Sequence, residues 1–99
     1  MKIDTSKFHG IFPAFYACYD DYGNICKKKV KNLAGWLSQK GVNGLYLTGS
    51  SGESFLQTKE ERKLIVESVM EEVGDKLTVI VHTGSASTRE AVELSKYAK

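Results

Sequence analysis

The sequence predicts an α/β fold built from three consecutive strand–helix units. Apolar, β-branched runs alternate along the chain with segments of helical period. Capping residues or glycines lie at the boundaries, and the connections between elements are short. Such an alternation favours parallel strands joined by right-handed crossovers. Periodicity leaves open whether the sheet is doubly wound or part of a barrel. No Pro-rich or Ser-rich linker divides residues 1–99, which are therefore expected to form one structural unit.

The first unit comprises a strand over about 10–19 and a helix over about 27–40. Pro13 lies near the start of the strand "GIFPAFYACY", where a missing ladder N–H is tolerated. The following "DDYGN" supplies turn residues. The helix is indicated by a buried stripe at i, i+3, i+4 and i+7, formed by Val30, Leu33, Ala34 and Leu37. Gly41 is placed to end it.

The second unit comprises a strand over about 43–48 and a helix over about 59–73. The strand is continuously apolar, as expected for a strand covered on both faces. Thr58 and Glu61 form a capping box at the helix start. The predicted buried stripe of the helix is Val66, Val69, Met70 and Val73.

The third unit comprises a strand over about 76–82 and a helix over about 88–99. The strand "KLTVIVHTG" is again β-branched and nearly all apolar. Ser87 and Glu90 repeat the capping-box spacing. The stripe Ala91, Leu94 and Ala98 remains in phase to the end of the sequence.

Composition excludes several classes of function. A net charge of +2, from 14 basic and 12 acidic residues, does not suggest a nucleic-acid or membrane surface, and the run Lys27–Lys29 with Lys31 is interpreted as a solvated helix face. No apolar run approaches the roughly 20 residues of a membrane span, and the N-terminus lacks a secretory h-region. A cytoplasmic protein is expected. Cys18 and Cys26 are expected to be reduced, with no metal site.

The segment Thr48 to Glu53 follows the second strand, at the carboxyl edge where parallel α/β folds bind ligands. Gly49 and Gly52 permit a tight turn, while Ser50 and Ser51 add hydroxyls to several backbone amides. Such a loop suits a small anion, most simply a carboxylate. A plain turn of small residues is the equally open alternative, and Glu53 is interpreted as shaping the loop rather than as a general base.

Other catalytic loops do not fit the same segment. A nucleophile elbow requires G-x-S-x-G, but Glu53 stands where the second glycine belongs. Neither a P-loop nor a G-x-G-x-x-G fingerprint is present. His82 ends the third strand and is interpreted as a packing residue rather than a catalyst. Tyr16 and Tyr19 lie at the end of the first strand, where they either border a cleft or belong to the strand and its turn.

Several motifs together resemble one enzyme family. "GLYLTGSSGESF" resembles the G-[ST]-[ST]-G-E loop of the N-acetylneuraminate lyase and dihydrodipicolinate synthase family, pyruvate-dependent class I aldolases on a (β/α)8 TIM barrel. "GIFPAFYACYDDYGNI", "TKEER" and "VIVHTGSASTREAVELSKYA" are similar to its first, second and third units. The resemblance covers essentially the whole chain and implies three βα units of an incomplete barrel.

The resemblance implies roles for six residues. Ser50 and Ser51 would hold the carboxylate of pyruvate, and Ser50 would join a hydroxyl relay to the Schiff-base intermediate. The residues that would shape the site are Gly49, Gly52, Glu53 and Gly84. No cofactor or metal is implied, and the partners would be pyruvate and a sugar acid or aldehyde.

The Ser-Ser pair and "VHTG" look more like the sialic acid lyases than the synthases. The implied reaction is cleavage of a sugar acid to pyruvate and an aldehyde sugar. Synthesis of dihydrodipicolinate from pyruvate and aspartate semialdehyde, and cleavage of keto-deoxy sugar acids, remain alternatives.

The family's Schiff-base lysine lies on the sixth strand and its catalytic tyrosine on the fifth, and neither has a counterpart in these 99 residues. The resemblance therefore predicts an N-terminal fragment that is inactive alone. Unpaired strand edges would favour self-association, as a homo-oligomer or a domain-swapped assembly. Two further hypotheses are a non-catalytic assembly unit and an unrelated anion-binding module.

Overall fold

The computed structural model describes residues 4–99 of the chain and has the predicted α/β architecture. Its regular elements are helices α1 (Lys27–Gln39), α2 (Lys59–Val73) and α3 (Thr88–Ala98) and strands β1 (Gly44–Leu47) and β2 (Thr78–Val81). Short 3₁₀ turns lie at Ser6–Phe8 and Ser54–Leu56. Among residues 4–99, no helix has the length and apolar character needed to cross a membrane.

The two strands pair in parallel, with Gly44 opposite Thr78 and Leu47 opposite Val81. The connection between them passes through α2, as a parallel crossover requires. Both strands therefore end at the same edge of the sheet, and the segments that follow them lie next to each other there.

The first predicted strand, about 10–19, is wrong as a regular strand. The chain near Pro13 runs beside β1 with a single parallel bridge, Ala14 to Tyr46. Tyr46 N–H donates to the Pro13 carbonyl at 3.0 Å. Pro13 has no N–H to return, and the Ile11 N–H donates to the Asn43 side chain at 2.9 Å instead of to β1. The ladder is therefore interrupted, although the segment keeps its place at the edge of the sheet.

The end of that predicted strand instead folds back on itself. Tyr19 forms an antiparallel bridge with Ile25. The turn between them is held by the Asp20 carboxylate, which accepts hydrogen bonds from the N–H groups of Tyr22 at 2.8 Å and Asn24 at 3.0 Å. This use of an Asp side chain to close a turn is common, and it gives the fold a short antiparallel pairing, the Tyr19–Ile25 hairpin.

The core lies between β1 and the inner faces of α1 and α2. Residues with less than 3% exposure include Val30, Ala34, Leu45, Leu47, Ile65, Val69 and Val73. The predicted α2 stripe is wrong at Met70, which is 47% exposed, because the buried face is centred one position away on Ile65 and Val69.

The helix starts follow the predicted capping residues. Glu61 N–H donates to Thr58 Oγ1 at 3.1 Å, and Thr58 N–H donates to Glu61 Oε1 at 2.9 Å, which completes the capping box of α2. At α3, only the bond from Glu90 N–H to Ser87 Oγ is present, at 3.4 Å. The first turn of α2 is therefore capped by two reciprocal hydrogen bonds, whereas the first turn of α3 is capped by one.

The basic run at the start of α1 is partly paired rather than simply solvated. Lys27 and Lys31 place their ammonium groups 2.9 and 3.3 Å from Glu71 on α2. These ion pairs are exposed and join the two helices at the surface.

Candidate active-site loop

Two segments lie together at the carboxyl edge of the sheet. The loop Thr48 to Glu53 follows β1, and residues 82–84 follow β2. His82 N–H continues the ladder by donating to the Leu47 carbonyl at 2.9 Å. The predicted ligand-binding edge is therefore occupied by the two segments that the sequence placed there.

Thr48 sets the direction in which the loop leaves β1. It is 2% exposed and has φ of 56°, in the left-handed region that β-branched residues rarely adopt. Its hydroxyl hydrogen-bonds to the carbonyls of Leu47, at 2.8 Å, and His82, at 2.9 Å. The unusual backbone conformation is thus fixed by a buried contact to the neighbouring strand end.

Ser50 and Ser51 form the exposed tip of the loop. Within residues 4–99, neither their N–H groups nor their hydroxyls donate to a protein acceptor. The turn is closed by other groups: Gly52 N–H donates to the Gly49 carbonyl at 3.1 Å and Glu53 N–H to the Ser50 carbonyl at 3.0 Å. Two adjacent residues therefore offer amide and hydroxyl donors to solvent, an arrangement that suits a small anion.

Both loop glycines occupy positions that a side chain would not fit. A Cβ at Gly49 would lie 2.5 Å from the Tyr46 ring, and one at Gly52 would lie 2.8 Å from the Phe15 carbonyl oxygen. The second contact is with backbone, which cannot rotate away. The loop thus packs directly against the strand below it and against the segment that carries Phe15.

Glu53 has a left-handed backbone, with φ of 62°, and is exposed. Below it, Gln57 Nε2 donates to the Gly52 carbonyl at 2.9 Å and lies 3.4 Å from the Tyr19 hydroxyl. The Gln57 hydrogen bond lowers the pKa of Tyr19, but burial and the Glu53 carboxylate outweigh it, so the pKa of this hydroxyl is raised. Tyr19 therefore stays protonated and connects the Tyr19–Ile25 hairpin to the loop.

His82 is engaged by its surroundings. Its Nδ1 lies 3.1 Å from the Thr48 carbonyl oxygen, so this nitrogen must carry a hydrogen to make a hydrogen bond. Its ring lies 6.2 Å from the Tyr46 ring, centroid to centroid. These contacts agree with the interpretation of His82 as a packing residue.

Arg62 on α2 is a site residue that the sequence reasoning missed. It is 3% exposed, and its Nη1 and Nη2 donate to the carbonyls of Gly84 at 2.7 Å and His82 at 2.6 Å. Burial lowers the pKa of the guanidinium, and the Glu90 carboxylate offsets part of that effect. Arg62 lies four positions before Val66 and so falls on the buried face of α2. A charged residue on that face was the sequence signal that could have identified it.

Two of the predicted site residues, Ser51 and Gly84, line different cavities. Ser51 borders an open groove of about 390 Å³ together with Tyr16, Pro13 and Trp36. Gly84 instead lines a separate cavity of about 150 Å³ with Arg62, and neither Ser50 nor Ser51 contributes to that cavity. Tyr16 therefore borders the groove beside Ser51, whereas Gly84 lies in the neighbouring loop that follows β2.

Known proteins resemble this chain over nearly its whole length. An N-acetylneuraminate lyase from Mediterraneibacter gnavus is 45% identical over 96 residues, which are 97% of this chain and 30% of that protein. The solved "sialic acid aldolase catalytic lysine mutant" of Ruminococcus gnavus superposes with a TM-score of 0.94 at 44% identity, covering 96% of this chain and 31% of the other.

A further solved structure contains pyruvate. YagE of Escherichia coli K12, described as a prophage protein of the dihydrodipicolinic acid synthase family in complex with pyruvate, is 34% identical with a TM-score of 0.86; the match covers 92% of this chain and 30% of YagE. The chain thus spans about 30% of the length of the curated relatives it matches. The model of the Dihydrodipicolinate synthetase family matches residues 7–99. The observed units are part of a (β/α)8 barrel, and the chain belongs to the Dihydrodipicolinate synthetase family.

Proposed function

We propose that the protein carrying this chain is an N-acetylneuraminate lyase-like class I aldolase, which cleaves a sugar acid to pyruvate and an aldehyde sugar. The observation that carries the proposal is the loop tip at Ser50 and Ser51. Its free amide and hydroxyl donors lie at the carboxyl edge of parallel strands, in a chain 45% identical to an N-acetylneuraminate lyase.

The loop would hold the carboxylate of the substrate and of the pyruvate product. Backbone N–H groups at Ser50 and Ser51 are fixed in direction by the turn, so binding needs little reorganisation. A carboxylate fixed there holds the neighbouring ketone carbonyl in one place, which supplies part of the alignment that a bimolecular step would otherwise lack. The same contacts would serve substrate and product.

The covalent step requires a lysine amine that attacks the ketone carbon of the substrate and forms an imine with loss of water. Neither β1 nor β2 contains a lysine. The solved Ruminococcus gnavus aldolase is described as a mutant of its catalytic lysine. We therefore expect the lysine and its tyrosine to lie outside residues 1–99, and these residues alone to be inactive. Ser50 would pass protons to and from the imine intermediate.

The remaining loop residues would shape the site. Gly49 and Gly52 allow the tip to pack against Tyr46 and Phe15, and Glu53 takes the left-handed conformation that turns the chain into the 3₁₀ turn Ser54–Leu56. Gly84 would keep the neighbouring loop close to His82, whose ring would lie 2.8 Å from an added Cβ. We further propose that the enzyme is cytoplasmic and homo-oligomeric and needs no cofactor.

The test is chemical trapping in the full-length protein. Incubation with pyruvate and borohydride should leave a reduced pyruvate adduct on one lysine, detected by mass spectrometry. Ser51→Ala should raise the pyruvate concentration needed for half-maximal trapping several-fold, because one anion contact is lost. Ser38→Ala on α1 is the matched control and should leave trapping unchanged. Absence of any lysine adduct would exclude the class I mechanism.

The aldehyde partner needs a separate assay. Release of pyruvate from N-acetylneuraminate should be faster than consumption of pyruvate with aspartate semialdehyde. The reverse order of rates would assign the protein to the synthase branch, with the same loop holding pyruvate. Release from keto-deoxy sugar acids alone would identify the third alternative.

A further inference from the structure

The two cysteines face each other across the Tyr19–Ile25 hairpin. Cys26 N–H donates to the Cys18 carbonyl at 2.9 Å, immediately beside the bridge between Tyr19 and Ile25. Residues 18 and 26 are thus directly opposite, in a hydrogen-bonded position whose Cα atoms are typically about 5.5 Å apart. Disulfides join residues with Cα atoms about 4.4–6.8 Å apart. The backbone register therefore suits a bond between them.

The side chains of the pair are also on the same face of the hairpin. Successive side chains in an extended pairing alternate between faces, so Cys18 and Cys26 both point away from the side taken by Tyr19 and Ile25. Because the two residues pair within one hairpin, their backbone register does not depend on the neighbouring elements. Their juxtaposition is a property of the hairpin itself.

Both thiols are free and half-buried, so a small reagent can reach them. Cys18 Sγ makes one weak contact, 3.6 Å from the Tyr16 carbonyl oxygen. Lys29 places its ammonium 2.9 Å from the Tyr19 carbonyl, next to this pair. Burial and the neighbouring Cys26 thiol raise the pKa of Cys18, and the Lys29 ammonium offsets only part of that rise. The Lys29 ammonium also attracts negatively charged reagents, so a small anionic disulfide is drawn to the pair.

We propose that Cys18 and Cys26 form a reversible intrachain disulfide by exchange with a low-molecular-weight disulfide such as oxidised glutathione. One cysteine thiolate attacks the glutathione disulfide, forms a mixed disulfide and releases one glutathione thiolate. The second cysteine, as its thiolate, then attacks the protein sulfur of the mixed disulfide and releases the other. Two protein thiols are oxidised, one glutathione disulfide is reduced to two thiols, and the two thiol protons end on the glutathiones or in solvent.

The bond would act on the loop through Tyr19. This residue lies between the two cysteines in the hairpin, and its hydroxyl is 3.4 Å from Gln57 Nε2, which also binds the Gly52 carbonyl. Closing the hairpin would restrict the position of Tyr19 and hence the support beneath the loop tip. The disulfide itself does not depend on the proposed aldolase activity, so the two can fail separately.

The test uses the full-length protein, oxidised glutathione, rapid alkylation of remaining thiols and non-reducing peptide mapping. The expected product is a peptide pair joined through Cys18 and Cys26, which dithiothreitol separates. Cys26→Ser should instead accumulate glutathione on Cys18. The far-ultraviolet circular dichroism of that variant, compared with wild type, establishes that it remains folded.

A second arm tests whether the fold causes the reaction. Linking should be several-fold faster in native protein than in protein unfolded by urea, since the hairpin holds the thiols together. Equal rates in both states would overturn the proposal, as would glutathione retained on both cysteines of the native wild type without a linked peptide. A bond found only between different chains would overturn it as well.

Discussion

The first two strand–helix units are more deeply buried than the third. Three of the four β1 residues are buried, whereas every β2 residue is only half-buried. α2 buries six residues, and α3 buries Leu94 alone. In the described part of the chain, β1 lies between the segment near Pro13 and β2, while β2 has β1 as its one neighbour.

This difference shows that burial depends on neighbours as well as on composition. "GLYL" and "TVIV" are comparably apolar, and both predict a strand covered on both faces. The same α2 packs between α1 and α3, but α1 shares the core with β1 and is tied to α2 by two surface ion pairs. Stability should therefore be concentrated in the first two units. Four experiments test that contrast.

The largest difference is expected between two leucines. Leu47→Ala in β1 removes a fully buried side chain and should lower the unfolding free energy by about 3 kcal/mol, within the usual range for such cavities. Leu77→Ala, immediately before β2, removes a half-buried leucine and should cost roughly half as much. Urea denaturation of the 99-residue chain measures both. Equal losses would show that the third unit is as well covered as the second.

The next largest difference concerns two arginines. Arg62→Ala removes the donors that hold His82 and Gly84 and should lower the unfolding free energy by about 2 kcal/mol, since hydrogen bonds from charged donors are among the stronger ones. Arg89→Ala on the exposed surface of α3 is the matched control and should change it by less than about 0.5 kcal/mol. Thermal melting of each variant provides the measurement. A neutral Arg62→Ala would mean that desolvation of the guanidinium cancels its two bonds.

The two helix caps should differ by a smaller amount. Thr58→Ala removes the centre of a complete capping box and should destabilise the chain by about 1 kcal/mol. Ser87→Ala removes a single long bond at the less covered helix, with an expected loss of about 0.5 kcal/mol. Amide hydrogen exchange in the first turn of each helix should show the same order. Faster exchange after Ser87→Ala than after Thr58→Ala would contradict it.

The smallest effect is the response of the surface ion pairs to pH. Hydrogen bonds from Lys27 and Lys31 hold the pKa of Glu71 below its ordinary value in the folded chain. A carboxylate whose pKa is lower in the folded than in the unfolded chain stabilises the fold at pH values above its unfolded-state pKa. That stabilisation is lost as the pH falls through the folded-state pKa. Glu71→Gln should therefore flatten the acid limb of the stability–pH curve slightly. Added salt should reduce the difference; an unchanged acid limb would show that the pairs contribute nothing.

Local chemistry made much of the fold predictable. The capping box at Thr58 depends on residues three positions apart, and the helix stripes depend on a fixed period, so both can be read from the sequence. The position of Ser50 and Ser51 at a strand end followed from the order of elements. The interruption at Pro13 was predictable only in part. The missing N–H follows from the residue type, but no sequence pattern indicates that the Asn43 side chain accepts the hydrogen bond from the Ile11 N–H.

The contacts that hold the loop were not predictable, for a common reason. Thr48 and Arg62 act through the carbonyl of His82, which is distant in sequence and has no side-chain signature. Backbone acceptors are present at every residue, so composition does not reveal which ones are used. The Tyr19–Ile25 hairpin was missed because its turn follows an apolar run that reads as one continuous strand.

The left-handed backbone of Thr48 narrows the range of amino acids that this position can accept. Glycine would relieve the φ of 56° but remove the hydroxyl that binds His82, and valine would keep the branched shape and lose the same bond. Serine keeps the hydroxyl but lacks the methyl group on Cβ, and asparagine tolerates the left-handed backbone conformation. Saturation mutagenesis should therefore recover serine and asparagine here ahead of all larger residues.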